Sequence, residues 1–136
     1  MMASEKLYRR FQFGLSVLGL IISLYLTAYH YTSVVPLACP DTGIIDCANV
    51  LNSPYAYLFG IPIAVFGVLF FVVEIYSLLR LGMDQRFLIN SIGIGFVAYF
   101  IYLEYRIGNI CIYCTTVHVI VVLLFALSLY EELRHK

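Results

Sequence analysis

Residues 111–130 have the sequence CIYCTTVHVIVVLLFALSLY, and this stretch decides the fold. It is long and apolar enough to cross the core of a bilayer as a helix, which needs about 20 residues. It begins with two cysteines, Cys111 and Cys114, in a CxxC pattern. Cysteines three residues apart in a first helical turn can face each other, and the exposed amide groups there stabilise a thiolate. We therefore predict a redox-active thiol pair at the start of a membrane-spanning helix.

The composition of the whole chain is that of a membrane protein. Of its 136 residues, 62% are apolar and only 12% are charged, about half the charged fraction of a soluble domain. So few charges cannot cover the surface of a water-soluble globule, so lipid must be the solvent. The formal net charge is zero, which argues against a nucleic-acid partner. We predict one all-α integral membrane domain over residues 1–136.

Four apolar segments are predicted to span the membrane as a four-helix bundle, and they are residues 11–30, 61–81, 87–105 and 111–130. Tight polar turns at 82–86 and 106–110 make the last three antiparallel neighbours. Met1–Arg10 is predicted to be a polar tail and Glu131–Lys136 a charged tail. A cleaved signal peptide is disfavoured, because the first apolar segment is long and no small-residue cleavage site follows it.

The longest connection, residues 31–59, carries the other two cysteines, Cys39 and Cys47. A connection of this length that does not span is more often functional than idle. Within it, Ser53 followed by Pro54 is typical of a helix start. We therefore predict a redox loop that ends in a short amphipathic cap helix from Pro54 to Phe59, lying along the membrane surface.

The basic residues predict the orientation. Those at one set of helix ends are Lys6, Arg9, Arg10, Arg80, Arg86, Arg134 and Lys136, whereas only Arg106 falls at the other set. The positive-inside rule then predicts a multi-pass protein of the cell membrane with both termini in the cytoplasm. The redox loop and the CxxC pair are predicted to lie on the extracytoplasmic side, where thiols are oxidised.

Three interpretations of the four cysteines are open. Two structural disulfides would suit Cys39 and Cys47 but not Cys111 and Cys114, because a bridge across one helical turn restrains little of the unfolded chain. A zinc site would need four thiolates, and C-x7-C is not a usual spacing for one. Redox chemistry is favoured: a lipid-soluble quinone can reach Cys114 at the edge of the hydrocarbon. Thiol–disulfide exchange can then connect the loop cysteines to the CxxC pair. We predict no metal site.

Two acidic residues fall inside the predicted spans. Glu74 lies within two turns of Arg80, and Glu104 lies near Arg106. Pairing with these arginines or solvation at the interface is the favoured interpretation of both. A proton path through Glu104 is the alternative.

The combined pattern resembles the vitamin K epoxide reductase family. The residues that carry the resemblance are Cys39-x7-Cys47-x5-Ser53, then Gly60-Ile61-Pro62, then Cys111-Ile112-Tyr113-Cys114-Thr115. The chain looks similar to prokaryotic members that act like the disulfide-forming protein DsbB. The resemblance covers about residues 11–129, and the combined spacing is far more specific than CxxC alone.

The resemblance implies a four-helix bundle around a quinone of the ubiquinone or menaquinone type, with the loop as a cap. It implies that Cys39 exchanges with a thioredoxin-like, DsbA-like secreted partner, that Cys47 relays to Cys111, and that Cys114 meets the quinone. Ser53, Leu51 and His118 are implied as further quinone-binding residues. The partner is expected to be a separate protein.

Two positions depart from the vertebrate pattern. His118 stands where those members have a ligand-contacting tyrosine, and apolar Ile63 replaces their asparagine on the second helix, which favours quinone reduction over epoxide reduction. The expected function is therefore a membrane thiol oxidoreductase that supports disulfide formation. The alternative is a non-enzymatic membrane assembly protein whose cysteines form structural disulfides.

Overall fold

The computed structural model describes residues 2–32, 43–45, 54 and 57–134. Its four helices are α1 (Met2–Tyr31), α2 (Ile63–Arg80), α3 (Met83–Ile107) and α4 (Ile112–Arg134). Each is long and apolar enough to cross a membrane. The predicted all-α bundle of four spanning helices is therefore confirmed. Four predicted site residues lie outside the described residues: Cys39, Cys47, Leu51 and Ser53.

The bundle is packed unevenly around its circumference. α1 packs along α2 and α4, and α3 packs along α4, whereas the seam between α2 and α3 is looser. A methyl group on Gly19 would overlap the buried ring of Phe71, so this glycine lets α1 and α2 approach closely. Large apolar side chains such as Leu79 and Leu88 are exposed on the outside. Lipid contact accounts for that exposure.

The predicted cap helix from Pro54 to Phe59 is wrong in its C-terminal half. Tyr57–Leu58 (β1) instead pairs antiparallel with Ile61–Pro62 (β2). Between them, Phe59 and Gly60 have φ angles of 57° and 80°, as both central residues do in a type I′ hairpin turn. Positive φ angles end any helix at this point, so α2 begins two residues later than the predicted span.

The helices also run farther than the apolar segments predicted. α1 begins inside the predicted polar tail, α3 begins inside the predicted 82–86 turn and ends within the predicted 106–110 turn, and α4 continues through most of the predicted charged tail. Gly108 ends α3 in the left-handed conformation, with φ 87° and its N–H bonded to the Glu104 carbonyl. Two polar residues in these extensions, Arg86 and Glu131, find partners inside the bundle.

One set of such partners lies at the end of the bundle opposite the CxxC pair, here called the far end. Glu131 accepts a hydrogen bond of 3.1 Å from Gln12 Nε2 and another of 3.1 Å from Arg86 Nη2. All three side chains are buried. The cluster ties α1 and α3 to α4, so Glu131 is an interior residue rather than part of a charged tail.

Glu74 corrects another prediction. Its side chain is fully buried and accepts a hydrogen bond of 3.1 Å from Asn90 Nδ2, while Arg80 is exposed. The same Asn90 amide group lies 2.9 Å from Ser128 Oγ. Glu74 therefore does not pair with Arg80 at the surface, because its position on α2 directs it toward α3.

Candidate functional site

Cys111 occupies the N-cap position of α4. Its carbonyl accepts the first hydrogen bond of the helix, from the Thr115 N–H at 2.9 Å. Its Sγ accepts a second bond from the Cys114 backbone N–H at 3.3 Å. A side chain that accepts from the third helical amide is the usual N-cap arrangement, here made by sulfur. The two cysteines are therefore held together by the start of the helix itself.

The same geometry favours the thiolate form of Cys111. A hydrogen bond from the Cys114 thiol lowers the pKa of the Cys111 thiol below its ordinary value, although burial of the side chain opposes the effect. The backbone amides of Cys114 and Tyr113 act in the same direction. Cys111 is fully buried, and both cysteines are free thiols in the structure. Cys111 is thus the better nucleophile of the two cysteines.

Cys114 lines a cavity of about 350 Å³ within the bundle. The cavity wall is almost entirely apolar, and its polar side chains are Ser23, Glu104, Cys114 and His118. Most of the lining comes from α2 and α3, so the cavity follows the loose seam between them. Cys111 does not line it. The two sulfurs therefore have different surroundings, because Cys114 lines the cavity and Cys111 is packed in a buried cluster with Leu26.

The cavity is elongated and reaches the lipid-facing surface. Along α2 it extends from Ile63 to Val73, a rise of about 15 Å. Two of its lining residues, Leu69 and Ile92, are 56% and 54% exposed. Side chains that both line a cavity and face outward mark an opening, so this cavity is accessible from the membrane.

His118 lies one turn beyond Cys114 on α4 and is buried. Its Nδ1 is 3.5 Å from Glu104 Oε1, and its ring stacks on Phe100 with centroids 6.3 Å apart. The Glu104 carboxyl group also accepts a hydrogen bond from the Cys111 backbone N–H. The prediction that Glu104 pairs with Arg106 or is solvated is wrong, since Glu104 faces α4 and Arg106 is exposed.

A piece of the redox loop is docked beside Cys111. The Ile110 N–H donates to the Ile44 carbonyl at 2.8 Å, and Ile45 forms a parallel bridge with Ile110. The side-chain amide of Asn109 donates to the carbonyls of Gly43 at 2.7 Å and Ile44 at 3.2 Å. Residues 43–45 lie between the two loop cysteines in sequence. The structure therefore holds the middle of the C-x7-C segment against the residues that precede Cys111.

The structure brings together three of the predicted site residues, Cys111, Cys114 and His118. Two residues were missed as members of the site. Asn109 belongs to the predicted 106–110 turn, and no sequence pattern indicates that its side-chain amide bonds to the loop. Glu104 was noticed as an acid within a span, but its contact with His118 depends on the register of α3 against α4. Among the described residues, no group of three metal-ligating side chains occurs.

These features define a class before any comparison. They describe a multi-pass membrane protein with a thiol pair that caps a helix beside a lipid-accessible cavity. A family profile described as "Vitamin K epoxide reductase family" matches residues 11–129, and the chain belongs to that family. Among curated proteins, none shows a significant match to the sequence. Family membership indicates a membrane thiol oxidoreductase, and members of the family generally use quinones.

Proposed function

We propose that this protein oxidises a thioredoxin-like, DsbA-like secreted partner and passes the electrons through Cys39/Cys47 and Cys111/Cys114 to a quinone. The observation that carries the proposal is the placement of Cys114 and His118 in one cavity that opens to lipid. A soluble oxidant does not enter the hydrocarbon region of the membrane, whereas a quinone dissolves in it.

The residues present fit a quinone. The ring is apolar with two carbonyl oxygens, and the cavity offers apolar walls with few polar side chains. When bound, a quinone accepts two electrons and two protons. The aromatic and aliphatic side chains of α2 and α3 hold the ring, His118 serves as a hydrogen-bond partner for an oxygen, and the opening between these helices accommodates an isoprenoid tail. Leu51 and Ser53 are proposed to close the site from the loop.

The docked loop segment supports the thiol relay. Cys47 follows Ile45 by two residues, and two residues of chain span at most about 7 Å. Because Ile45 is bridged to Ile110, a connection of two residues is long enough for Cys47 to exchange with Cys111 in the proposed relay. The Cys111 thiolate is the nucleophile that exchange requires. Electrons from the partner enter at Cys39, pass to Cys47 and reduce the Cys111–Cys114 disulfide.

The orientation proposed from the sequence agrees with this path. The basic side chains of Lys6, Arg9, Arg10, Arg80, Arg86 and Arg134 all belong to residues at the far end of the bundle. The positive-inside rule assigns that end to the cytoplasm. The CxxC pair and the docked loop segment then face the extracytoplasmic side, where the partner is found.

Quinone reduction by the purified protein, driven either by a reduced thioredoxin-like protein or by DTT, tests the proposal. We expect Cys114→Ala to abolish the activity with both donors. Cys39→Ala should abolish only the activity driven by the protein donor, because DTT can reduce Cys111–Cys114 directly. Full activity of Cys114→Ala would overturn the assignment of the quinone-facing thiol. Cysteines that never change redox state under these conditions would favour the assembly protein with structural disulfides.

A further inference from the structure

Glu104 and His118 lie in the wall between two cavities. The first is the cavity that Cys114 lines. The second, of about 710 Å³, runs along α3 and α4 and is lined by Glu104, His118, apolar residues farther from the CxxC pair (Val97, Ile101, Val119, Val122 and Leu123) and residues at the CxxC end of the bundle. The latter include Ile44, Tyr105, Gly108, Asn109, Ile110 and Thr115. Both cavities therefore reach the same carboxyl–imidazole pair.

Among the residues that the structure describes, few titratable side chains lie near this pair. Those that line the first cavity are Glu104, Cys114 and His118, and those that line the second are Glu104, Tyr105 and His118. Cys111 contacts Glu104 through its backbone N–H. Among the described residues, no lysine, arginine or aspartate lines either cavity. Within the described part of the chain, Glu104 and His118 are therefore the acidic and the imidazole group that a proton moving between Cys114 and the second cavity can use.

The geometry of the pair suits proton transfer. Glu104 Oε1 is buried without a hydrogen-bond partner among the described residues, and His118 Nδ1 is 3.5 Å away. A carboxylate beside Nδ1 favours the tautomer with its proton on Nδ1, which leaves Nε2 as the acceptor. Residues four apart on a helix have Cβ atoms about 5–6 Å apart, so Cys114 and His118 are neighbours.

We propose that Glu104 and His118 form a proton relay that serves Cys114, with Glu104 connected to the extracytoplasmic face through the second cavity. This inference rests on the proposed function and adds the route of the protons. Oxidation of the Cys111/Cys114 dithiol to a disulfide releases two electrons and two protons, and the Cys111 proton leaves before the S–S bond forms because Cys111 reacts as the thiolate. His118 accepts the Cys114 proton and delivers it to the oxidant in the first cavity. The proton of Cys111 leaves to the outer water, and the relay supplies another in its place, so the quinone gains two electrons and two protons.

Exchange of the Cys114 thiol with deuterated water tests the relay without any quinone. The S–H and S–D stretching bands can be followed by rapid-mixing infrared spectroscopy of the reduced protein, with the Cys114 band assigned by its loss in Cys114→Ser. Glu104→Gln keeps an oxygen that accepts from the Cys111 N–H but cannot ionise. We expect it to slow the exchange at least tenfold. Asp84→Asn is the matched control, because Asp84 is an exposed acid on the same helix, and it should exchange at the wild-type rate.

Turnover gives a second readout. We expect Glu104→Gln to lower kcat for DTT-driven quinone reduction by about 100-fold, with KM for the quinone changed less than twofold. In Glu104→Ala, added formate should restore part of the rate, because the second cavity is wide enough to admit it. Exchange of Cys114 at the wild-type rate in Glu104→Gln would overturn the relay. If instead the wild-type protein reduced no quinone, the proposed function would fail while the exchange result still decided the relay.

Discussion

At the scale of single residues, Cys111 is the side chain whose reactivity the structure determines most directly. Its lowered pKa means that the thiolate is present at a lower pH than in an ordinary cysteine, whose pKa is about 8.5. We expect alkylation of Cys111 by iodoacetamide, followed by mass spectrometry of the reduced protein, to reach half its maximal rate below that pH.

A variant that lacks the hydrogen-bond donor to the Cys111 sulfur supplies the control for this prediction. Cys114→Ala removes the thiol that donates to Cys111 and leaves burial to dominate, so the half-maximal pH should rise. An unchanged or lower half-maximal pH in Cys114→Ala would show that the thiol of Cys114 does not stabilise the Cys111 thiolate.

At the scale of elements, the contact between the loop and the turn before α4 is the one on which the proposed thiol relay from the loop cysteines to Cys111 depends. Asn109→Ala removes two hydrogen bonds to the carbonyls of Gly43 and Ile44, each worth about 1 kcal/mol. We expect turnover driven by a thioredoxin-like protein to fall about tenfold, because residues 43–45 are docked beside the CxxC pair less often. DTT-driven turnover should stay within twofold of wild type. Equal losses with both donors would contradict a role confined to docking the loop.

A second prediction at this scale concerns the far end. Glu131→Gln leaves the buried guanidinium of Arg86 without its counter-ion, a change that costs about 3–5 kcal/mol when a buried pair loses one member. We expect a clearly lower apparent melting temperature in detergent. Asp84→Asn, an exposed substitution at the same end, should leave the melting temperature unchanged. A Glu131→Gln protein as stable as wild type would show that the Arg86 charge is satisfied in another way.

At the scale of the whole molecule, the sequence was sufficient for the number and class of the helices, because an apolar run of about 20 residues spans lipid as a helix, whose backbone groups are paired within the segment. The sequence was insufficient to predict the residues at which the helices begin and end. Arg86 and Glu131 seemed to belong to polar segments, yet they are 45 residues apart and meet only after the bundle forms. Likewise, Ser53 and Pro54 favour a helix locally, whereas the positive φ angles at Phe59 and Gly60 produce a hairpin.

The candidate site was likewise predictable only in part from the sequence. The CxxC spacing identified Cys111 and Cys114 as a pair, since a helix start imposes their proximity. The partner of His118 and the amide that docks the loop depend on how α3 ends and how it packs against α4, which no local pattern encodes. Family membership, which covers residues 11–129, agrees with the resemblance on which the roles of Cys39, Cys47, Leu51 and Ser53 rest, and those roles remain predictions.

One measurement tests the central claim most directly, namely that the Cys111/Cys114 pair itself reduces a quinone. In the double variant Cys39→Ala/Cys47→Ala, only this pair remains. The protein is reduced with DTT, freed of it, and mixed with a short-chain ubiquinone or menaquinone in a single turnover. We predict one quinol per chain together with a Cys111–Cys114 disulfide in the mass spectrum. Failure of both quinones to be reduced, with both thiols still free, would contradict the account.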